Sequence, residues 1–316
     1  MIILNRSEIA ELIDFNIAAQ KITDAYIAAS AGHVTLPPVG HITFPSLEAD
    51  CHIKYGHMNG DPNFVIKVAT GFPLNARHGL ETGNGLVLVM SAETGQVVAM
   101  LHDEMILTDL RTGIGGAIAS RTLARRDAQR VLVIGTGVQA RCQVQAHSAL
   151  FQRDLTFQIW GRSFAKAKDV ARHLNNATAV QDLESAVRQA DIIVTTTGST
   201  QAIVAADWVQ PGTHISAVGA DAPGKQELSP VLVSRASIVA VDSIAQCVDH
   251  GEVSHAIAAG LISTTDLVEL GELLATVSHT RGDHDITIAD LTGIAAQDIA
   301  MANAVIEAFQ NRMTPT

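Results

Sequence analysis

The stretch from Val131 to Ala140, with the sequence VLVIGTGVQA, constrains the fold of this chain more than any other segment. Its first four residues are apolar and predict a buried strand, and Gly135 and Gly137 predict a tight turn after it. Ala140 is small enough for a helix to pack closely against that strand. A strand, a Gly-x-Gly-x-x-Ala turn and a helix are typical of a dinucleotide site, in which the helix N-terminus faces the pyrophosphate. The residues expected to contact the coenzyme here are Gly135, Thr136, Gly137, Val138, Gln139 and Ala140.

The segments on either side of this turn predict two kinds of domain. Between residues 41 and 100, short apolar runs are separated by Gly, Asn, Asp and Pro, which is typical of an antiparallel sheet. From residue 131 onward, strand-like and helix-like segments alternate as in a parallel sheet, and a last helix over 295–309 is expected to return to the first domain. We therefore predict an α/β protein, with a Rossmann-type dinucleotide-binding domain at 118–293 and a discontinuous α+β domain formed by 1–117 and 294–316.

The acidic composition argues against a nucleic-acid partner. The chain has 21 Lys and Arg residues against 32 Asp and Glu residues, a formal net charge of −11, so an extended phosphate-binding surface is not expected. The N-terminal segment carries Arg6, Glu8 and Glu11, which do not fit the apolar core of a signal peptide, and no long apolar span follows. A cytoplasmic protein without membrane contact is expected.

The spacing of Cys and His residues predicts neither a disulfide framework nor a metal site. Cys51, Cys142 and Cys247 are far apart in the sequence, which fits reduced, separate thiols. His250 and His255 are five residues apart, so one helix would not align them as ligands of the same ion. We expect no metal.

Arg162 and Ser163 follow the second predicted strand of the dinucleotide-binding domain, where the ribose of the coenzyme is usually recognised. A guanidinium group at this place can bind a 2′-phosphate, and no carboxylate is present to hold a free 2′-hydroxyl. The pattern favours NADP over NAD. The alternative is that Arg162 is a solvated loop cation.

Three basic residues are candidates for binding a substrate carboxylate. Lys67 lies in an otherwise apolar strand, where burying an ammonium group is costly unless an anion meets it, and a lowered pKa would let it transfer protons. Arg111 begins a small-residue helix and can hold a carboxylate with two hydrogen bonds. The alternatives are a lysine that reaches solvent from a sheet edge and an ordinary helix charge near Asp109. Lys54 has the same ambiguity as Lys67.

Asp221 follows a predicted parallel strand at its carboxyl end, the edge where open α/β sheets bind their ligands. This position favours a catalytic carboxylate. The alternative is an Asp that forms a turn before Pro223 and Gly224.

Taken together, these segments resemble the ornithine cyclodeaminase and mu-crystallin family along nearly the whole chain. The matching segments are Lys67 in its strand, Gly79–Thr82, Leu107–Thr112, Gly135–Ala140, Val209–Ile215, Gly219–Leu228 and Leu291–Asp298.

The resemblance implies a role for several residues and for the first domain. It implies that Lys67 and Arg111 hold the substrate carboxylate, that Thr82 lines the same pocket, and that Asp221 is the catalytic acid/base, with Lys67 as a second catalytic residue. It also implies a homodimer whose N-terminal sheets meet, which makes the α+β domain a substrate-binding and dimerisation domain. The further expected coenzyme contacts are Thr112, Thr195, Thr196 and Val218.

One segment departs from the family pattern. Many members carry an Arg in a Pro-x-Arg-Thr segment that binds the carboxylate, whereas this chain has Pro38 to Ile42 with the sequence PVGHI. We expect His41 or Lys54 to take the place of that Arg.

The resemblance and the coenzyme turn together predict an enzyme. We expect an oxidoreductase that uses NADP, or else NAD, and moves a hydride between the nicotinamide and the α-carbon of a small amino or imino acid. One alternative is a cyclodeaminase that releases ammonia and recycles its coenzyme. The other is a non-enzymatic protein that binds a dinucleotide or small ligand.

Overall fold

The computed structural model describes residues 1–276 and 281–313. The chain forms two compact units, one of Met1–Arg111 with the chain from Ile294 onward, and one of Thr112–Gly293. The boundary after Arg111 and the expected one at residue 117 both fall inside a single helix, Ile106–Leu123. Elements are numbered in chain order, and this helix is α3.

The first unit is built on a seven-stranded sheet with the order β1-β7-β6-β5-β4-β2, to which β3 adds by pairing with β4. Among its described strands only β1 and β7 pair in parallel, so the antiparallel prediction for this region is confirmed. The strands are β1 (Ile2–Asn5), β2 (Val34–Thr35), β3 (Gly40–Phe44), β4 (Ala49–Met58), β5 (Asn63–Gly71), β6 (Gly83–Ser91) and β7 (Val97–His102), and the helices are α1 (Arg6–Leu12), α2 (Phe15–Ser30) and α11 (Ala295–Met313).

Side-chain alternation gives this sheet a buried face and a half-exposed face. Helix α11 packs on β4 and β5, and the face that it covers includes buried Val65 and Val87. On the opposite face, Tyr55, Ile66 and Leu88 are paired across neighbouring strands and remain partly exposed. The chain therefore carries an apolar row that α11 does not cover.

The second unit contains an eight-stranded sheet with the order β10-β9-β8-β11-β13-β17-β15-β16. All its pairings are parallel. This order, with β8 between β9 and β11, is that of a Rossmann fold and confirms the α/β prediction. The strands are β8 (Arg130–Ile134), β9 (Thr156–Trp160), β10 (Ala177–Ala179), β11 (Ile192–Thr195), β13 (His214–Ala217), β15 (Ile238–Val241), β16 (Leu267–Glu269) and β17 (Thr287–Asp290), and a separate pair is formed by β12 (Thr200–Val204) and β14 (Gln226–Leu228).

The helices of the second unit follow its strands and pack on them. They are α4 (Val138–Leu150), α5 (Phe164–Ala171), α6 (Leu183–Gln189), α7 (Pro230–Ser234), α8 (Ile244–His250), α9 (Glu252–Ala258) and α10 (Leu270–Ala275). Two apolar clusters form the core, and the central strand β8 contributes to both. Among the described residues, none of the helices combines the length and the apolar character needed to cross a membrane.

Candidate active site

The glycine turn after β8 has the geometry that a pyrophosphate needs. Gly135 has a φ of 141°, and a side chain there would collide with Thr196, which follows β11. Gly137 begins helix α4, and a Cβ added at Gly137 would meet no atom of the described residues within 4 Å. Because α4 has 13 residues and no acidic residue in its first turn, its N-terminus can face an anion. The turn therefore fits a dinucleotide.

The expected ribose site lies at the end of β9. Gly161 must lack a side chain, because a Cβ there would lie 2.5 Å from the Cγ2 atom of Thr136. Arg162 is exposed, whereas the hydroxyl of Ser163 caps α5 by accepting from the N–H of Lys166 at 3.4 Å. Arg162 is thus available to a phosphate, and Ser163 already has a structural role.

The other expected coenzyme residues differ in how accessible they are. Thr195 is fully buried, and its hydroxyl donates to Glu227 at 2.6 Å. This hydrogen bond fixes the end of β11. Thr196 is partly buried and donates to the carbonyl of Ile134 at 3.2 Å, directly beside the glycine turn. Val218 is buried. The carbonyl of Thr112 accepts a hydrogen bond from the side-chain amide of Gln143.

Glu227, a carboxylate on β14 that the sequence motifs did not single out, holds the chain after β11 and the loop after β13 at the carboxyl end of the parallel sheet. Its oxygens accept from the hydroxyl of Thr195, from the N–H of Thr197 at 2.5 Å and from the N–H of Gly219 at 2.9 Å. A Cβ on Gly219 would lie 2.6 Å from the Glu227 carboxyl carbon, so only glycine fits there. Glu227 therefore fixes the segment that leads from Gly219 to Asp221.

Glu227 is supported by a second buried carboxylate. Glu252 accepts from the N–H groups of Glu227 at 2.6 Å and of Leu228 at 2.9 Å. Burial raises the pKa of Glu227, although its hydrogen-bond donors oppose this shift. Burial, together with the charge of nearby Asp290, raises the pKa of Glu252 well above its usual range. The pKa of Asp290 is itself raised to about 7, first by burial. These side chains form a buried acidic cluster with backbone donors.

Asp221 lies in the loop after β13 and is partly exposed. Its Oδ1 atom accepts from the ammonium group of Lys225 at 2.5 Å, and the carbonyl of Lys225 contacts His255 Nε2 at 2.8 Å. The ion pair with the ammonium group holds the carboxylate in place. The loop thus presents a carboxylate that is partly open to solvent.

In the first unit, the two predicted carboxylate-binding residues converge on a third side chain, Asp298 of α11. Lys67 Nζ donates to Asp298 Oδ1 at 2.8 Å, and Arg111 Nε lies 3.6 Å from the same oxygen. All three side chains are at least nine-tenths buried. When Lys67 is protonated, these two cations outnumber the one carboxylate, and a bound substrate carboxylate would balance them.

The buried position changes the acidity of Lys67. Burial is the main reason that its pKa is lowered from 10.5 to about 7. The charge of Asp298 opposes this shift, whereas the charges of Arg111 and Lys54 add to it. Lys67 therefore loses its proton far more readily than an exposed lysine does. Its protonation can follow the arrival of a negatively charged ligand.

Asp298 retains unused hydrogen-bonding capacity in this cluster. Its Oδ2 atom is buried and has no hydrogen-bond partner among the described residues, and the same is true of Arg111 Nε. Gln297 holds Arg111 in place by accepting from Nη1 at 3.4 Å and donating to the Arg111 carbonyl at 3.1 Å. Such orphaned buried atoms are expected where a ligand supplies the missing partners.

Three other predicted substrate residues lie in the same unit. Lys54 is buried and stands directly opposite Lys67 in the register of β4 and β5. His41 is on the edge strand β3, where its ring stacks on His52 with centroids 4.4 Å apart. Thr82 is exposed just before β6, and its carbonyl accepts from the N–H of Phe72 at 2.7 Å. The described part of the chain groups Lys67, Arg111 and Lys54, whereas Thr82 is held through its backbone by Phe72.

Asp298 and Glu227 both lie within segments that carry the family resemblance, yet neither was predicted to have a role. Asp298 follows a short apolar run on a helix that is far from Lys67 in the sequence. The spacing of residues along the chain therefore did not predict the contact between Lys67 and Asp298. A buried lysine in an apolar strand does require a carboxylate somewhere, and that requirement is the signal that could have prompted a search for one.

The parallel sheet, its strand order and the glycine turn define the second unit as a Rossmann-type dinucleotide-binding domain. The chain belongs to the ornithine cyclodeaminase/mu-crystallin family, whose profile matches residues 1–312.

Relatives of known activity support this membership. The chain is 34% identical to the alanine dehydrogenase of Archaeoglobus fulgidus over 97% of its own length and 94% of that protein. Among solved structures, an archaeal alanine dehydrogenase dimer with bound NAD superposes with a TM-score of 0.90 at 31% identity, covering 100% of this chain and 98% of the other. The iminosuccinate reductase of Paracoccus denitrificans, in complex with NAD+, gives a TM-score of 0.89 at 32% identity, with 99% and 97% covered.

Proposed function

We propose that this protein is an NAD(P)-dependent oxidoreductase that transfers a hydride between the nicotinamide and the α-carbon of a small amino or imino acid. The observation that carries the proposal is the buried cluster of Lys67, Arg111 and Asp298, in which two basic side chains share one carboxylate and two polar atoms lack partners. The relatives that bind NAD and act on amino or imino acids support it.

Lys67 and Arg111 bind and orient the substrate carboxylate in this proposal. A carboxylate near Lys67 restores the charge balance and favours the ammonium form of Lys67, whose pKa is about 7 in the free protein. Arg111, held by Gln297, fixes the direction of the carboxylate. Binding the carboxylate in one orientation places the α-carbon for reaction.

Asp221 handles the proton of the substrate nitrogen. In the oxidative direction the amine loses a proton to Asp221 while the α-carbon loses a hydride, and water then converts the imine to an oxo acid and ammonia. In the reductive direction Asp221 returns the proton as the imine carbon gains the hydride. The bound nicotinamide supplies or accepts that hydride. Lys225 holds the carboxylate of Asp221 through an ion pair.

The coenzyme residues that we propose are those of the glycine turn, with Thr196 and Arg162. Gly135, Gly137 and the N-terminus of α4 would hold the pyrophosphate. Arg162, which solvent reaches, can bind a 2′-phosphate, so we propose a preference for NADP over NAD. Glu227 and Thr195 do not contact the coenzyme in this proposal; they fix the strand ends through their hydrogen bonds.

We also propose that the protein is a homodimer that buries the uncovered face of the first unit's sheet. The central row pairs Tyr55 with Ile66, Ile66 with Leu88 and Leu88 with Met100 across four strands. Tyr55, at one end of this row, is 38% exposed, and Ile66 and Leu88 beside it are partly exposed, so the row forms an apolar surface patch. A second copy of this face offers the matching apolar surface.

A substrate screen with two readouts tests the proposed reaction. Alanine, ornithine, lysine, arginine and pyrroline-2-carboxylate are each supplied with oxidised and reduced NAD and NADP, and nicotinamide absorbance and ammonia are both followed. An oxidoreductase changes the absorbance in proportion to turnover. Ammonia release without any change in absorbance would instead identify a cyclodeaminase, and no turnover with any pair would favour a binding protein.

A further inference from the structure

A cluster of two imidazoles and one carboxylate lies on β3 and β4, outside the residues assigned above except for His41. The antiparallel register puts His41 directly opposite His52, so both side chains emerge on the same face. Asp50 precedes His52 by two residues on β4 and shares that face. One candidate ligand atom from each of the three residues lies within 4.8 Å of the other two.

The distances within this cluster approach those around a bound metal ion. His52 Nε2 lies 3.3 Å and His41 Nε2 lies 4.0 Å from the same oxygen, Asp50 Oδ2. A tetrahedral zinc ion holds nitrogen and oxygen ligands about 2.0–2.2 Å from itself, which separates the ligand atoms by about 3.3–3.6 Å. The pair formed by His52 and Asp50 already meets this separation. His41 Nε2 is farther from this oxygen, and its ring stacks on that of His52, so the His41 ring has to turn out of the stack for all three atoms to bind one ion.

The packing around Asp50 holds its carboxylate in this place. Gly71 is the residue opposite Asp50 on β5, and a Cβ there would lie 2.9 Å from Asp50 Oδ1. The missing side chain therefore leaves room for the carboxylate to lie across the neighbouring strand. The side chains of His41, Asp50 and His52 are 28%, 31% and 16% exposed, so the cluster is supported by the sheet yet reachable from solvent.

We propose that His41, Asp50 and His52 form a binding site for a divalent transition-metal ion of the zinc class. Two imidazole nitrogens and one carboxylate oxygen suit Zn²⁺, Co²⁺, Ni²⁺ or Cu²⁺, whereas Mg²⁺ and Ca²⁺ prefer oxygen ligands alone. Three protein ligands leave at least one coordination position for water or for an oxygen atom of a small ligand. The site does not depend on the proposed hydride transfer.

The spacing of histidines along the sequence predicts no metal site, because it draws attention only to pairs that one helix could align. Residues 41 and 52 are far apart for a metal motif, and only the register of β3 and β4 joins them. A hairpin pairing is the kind of contact that linear spacing does not reveal.

Zinc titration of the untagged, full-length protein tests the proposal. After chelator treatment, the protein is titrated with Zn²⁺ by calorimetry, and bound metal is counted after gel filtration. We expect saturable binding of one zinc ion per chain. His41→Ala and His52→Ala should each weaken this binding by at least about tenfold, because each removes a ligand.

His57→Ala is the matched control. His57 also lies on β4, but its Nε2 atom contacts the carbonyl of Asp61 at 3.0 Å and it is not part of the cluster. Binding by this variant should equal that of the unmodified protein. Visible absorption of the Co²⁺-loaded protein reports direct coordination. His52→Ala should alter this spectrum, whereas His57→Ala should not.

Thermal unfolding establishes that each variant is folded. The proposal is overturned if the folded, unmodified protein shows no saturable zinc binding, or if His57→Ala reduces binding as much as the two cluster variants do.

Discussion

At the residue scale, the central feature is a lysine whose charge depends on its neighbours. Lys67 has a pKa of about 7 because burial outweighs the effect of Asp298. Carboxylate binding needs the ammonium form, which is present below that pKa and lost above it. Substrate affinity should therefore fall as the pH rises through about 7.

Asp298→Asn tests this dependence. The substitution removes the negative charge that raises the pKa of Lys67, so KM for the amino acid should begin to rise at a lower pH than in the unmodified enzyme. At pH 7 we expect an increase in KM of roughly tenfold, equivalent to about 1.4 kcal/mol. The measurement is KM against pH from initial rates. Asp24→Asn, on the exposed side of α2, is the control and should leave the profile unchanged; an identical profile for Asp298→Asn would contradict the role of the pair.

Arg162 provides a second prediction at this scale. Arg162→Ala removes the guanidinium group that we assign to the 2′-phosphate, so KM for NADP should rise about tenfold or more, while KM for NAD stays nearly constant. Initial rates with each coenzyme measure both values. Arg172→Ala, an exposed arginine paired with Asp169, controls for the loss of surface charge. Equal effects on the two coenzymes would remove Arg162 from the choice between them.

At the element scale, Glu227 joins the ends of β11 and β13 to β14. A carboxylate can accept all three of its hydrogen bonds, whereas the amide of glutamine turns an N–H donor toward at least one of these donors. The loop that carries Asp221 begins at Gly219, one of the three attachment points. The position of the loop that carries Asp221 thus depends on a buried side chain.

Glu227→Gln should loosen these strand ends. We expect a loss of about 1–3 kcal/mol in the free energy of unfolding, as for other buried groups that lose a partner, together with weaker coenzyme binding and a lower kcat. Denaturant unfolding and coenzyme fluorescence titration measure the first two. Glu184→Gln, which affects an exposed ion pair on α6, is the matched control. Full coenzyme affinity in Glu227→Gln would show that the attachment is not needed.

The elements with a strong local signal could be predicted from the sequence. Strands β8, β11 and β15 are almost entirely apolar, and the turn at Gly135 has a pattern set by the coenzyme. Strands β12, β14 and β16 are short and lie in segments without clear alternation, so they depend on tertiary pairing and were not predicted. Lys67 and Arg111 were identified as candidates, but Asp298 was not, because the contact joins residues more than two hundred positions apart.

At the scale of the whole molecule, the two faces of the first unit's sheet differ in what covers them. One face packs on α11 and carries Lys67, whereas the other exposes an apolar row. A second chain on that row would bury it without altering the Lys67 cluster. The proposed dimer and the proposed chemistry are therefore separable by mutation.

Leu88→Arg places a charge in the middle of the apolar row and should convert the dimer to a monomer. Sedimentation or light scattering measures the mass, and circular dichroism shows whether the variant is folded. Ile17→Arg introduces the same charge at an exposed position on α2 and should leave the mass unchanged. A Leu88→Arg variant that keeps the dimeric mass would place the interface elsewhere, and a monomeric unmodified protein would contradict the dimer.

Hydride transfer itself is tested most directly with an amino acid that carries deuterium on its α-carbon. The substrate that gives turnover is incubated with oxidised coenzyme, and the coenzyme recovered from the reaction is analysed by mass spectrometry. Our account predicts that the deuterium is found in reduced coenzyme, in an amount equal to the oxo acid formed. Asp221→Asn should lower this transfer by about 10²–10⁴-fold while it still binds the coenzyme. Deuterium that stays in the amino-acid product, with ammonia released and no reduced coenzyme accumulating, would contradict it.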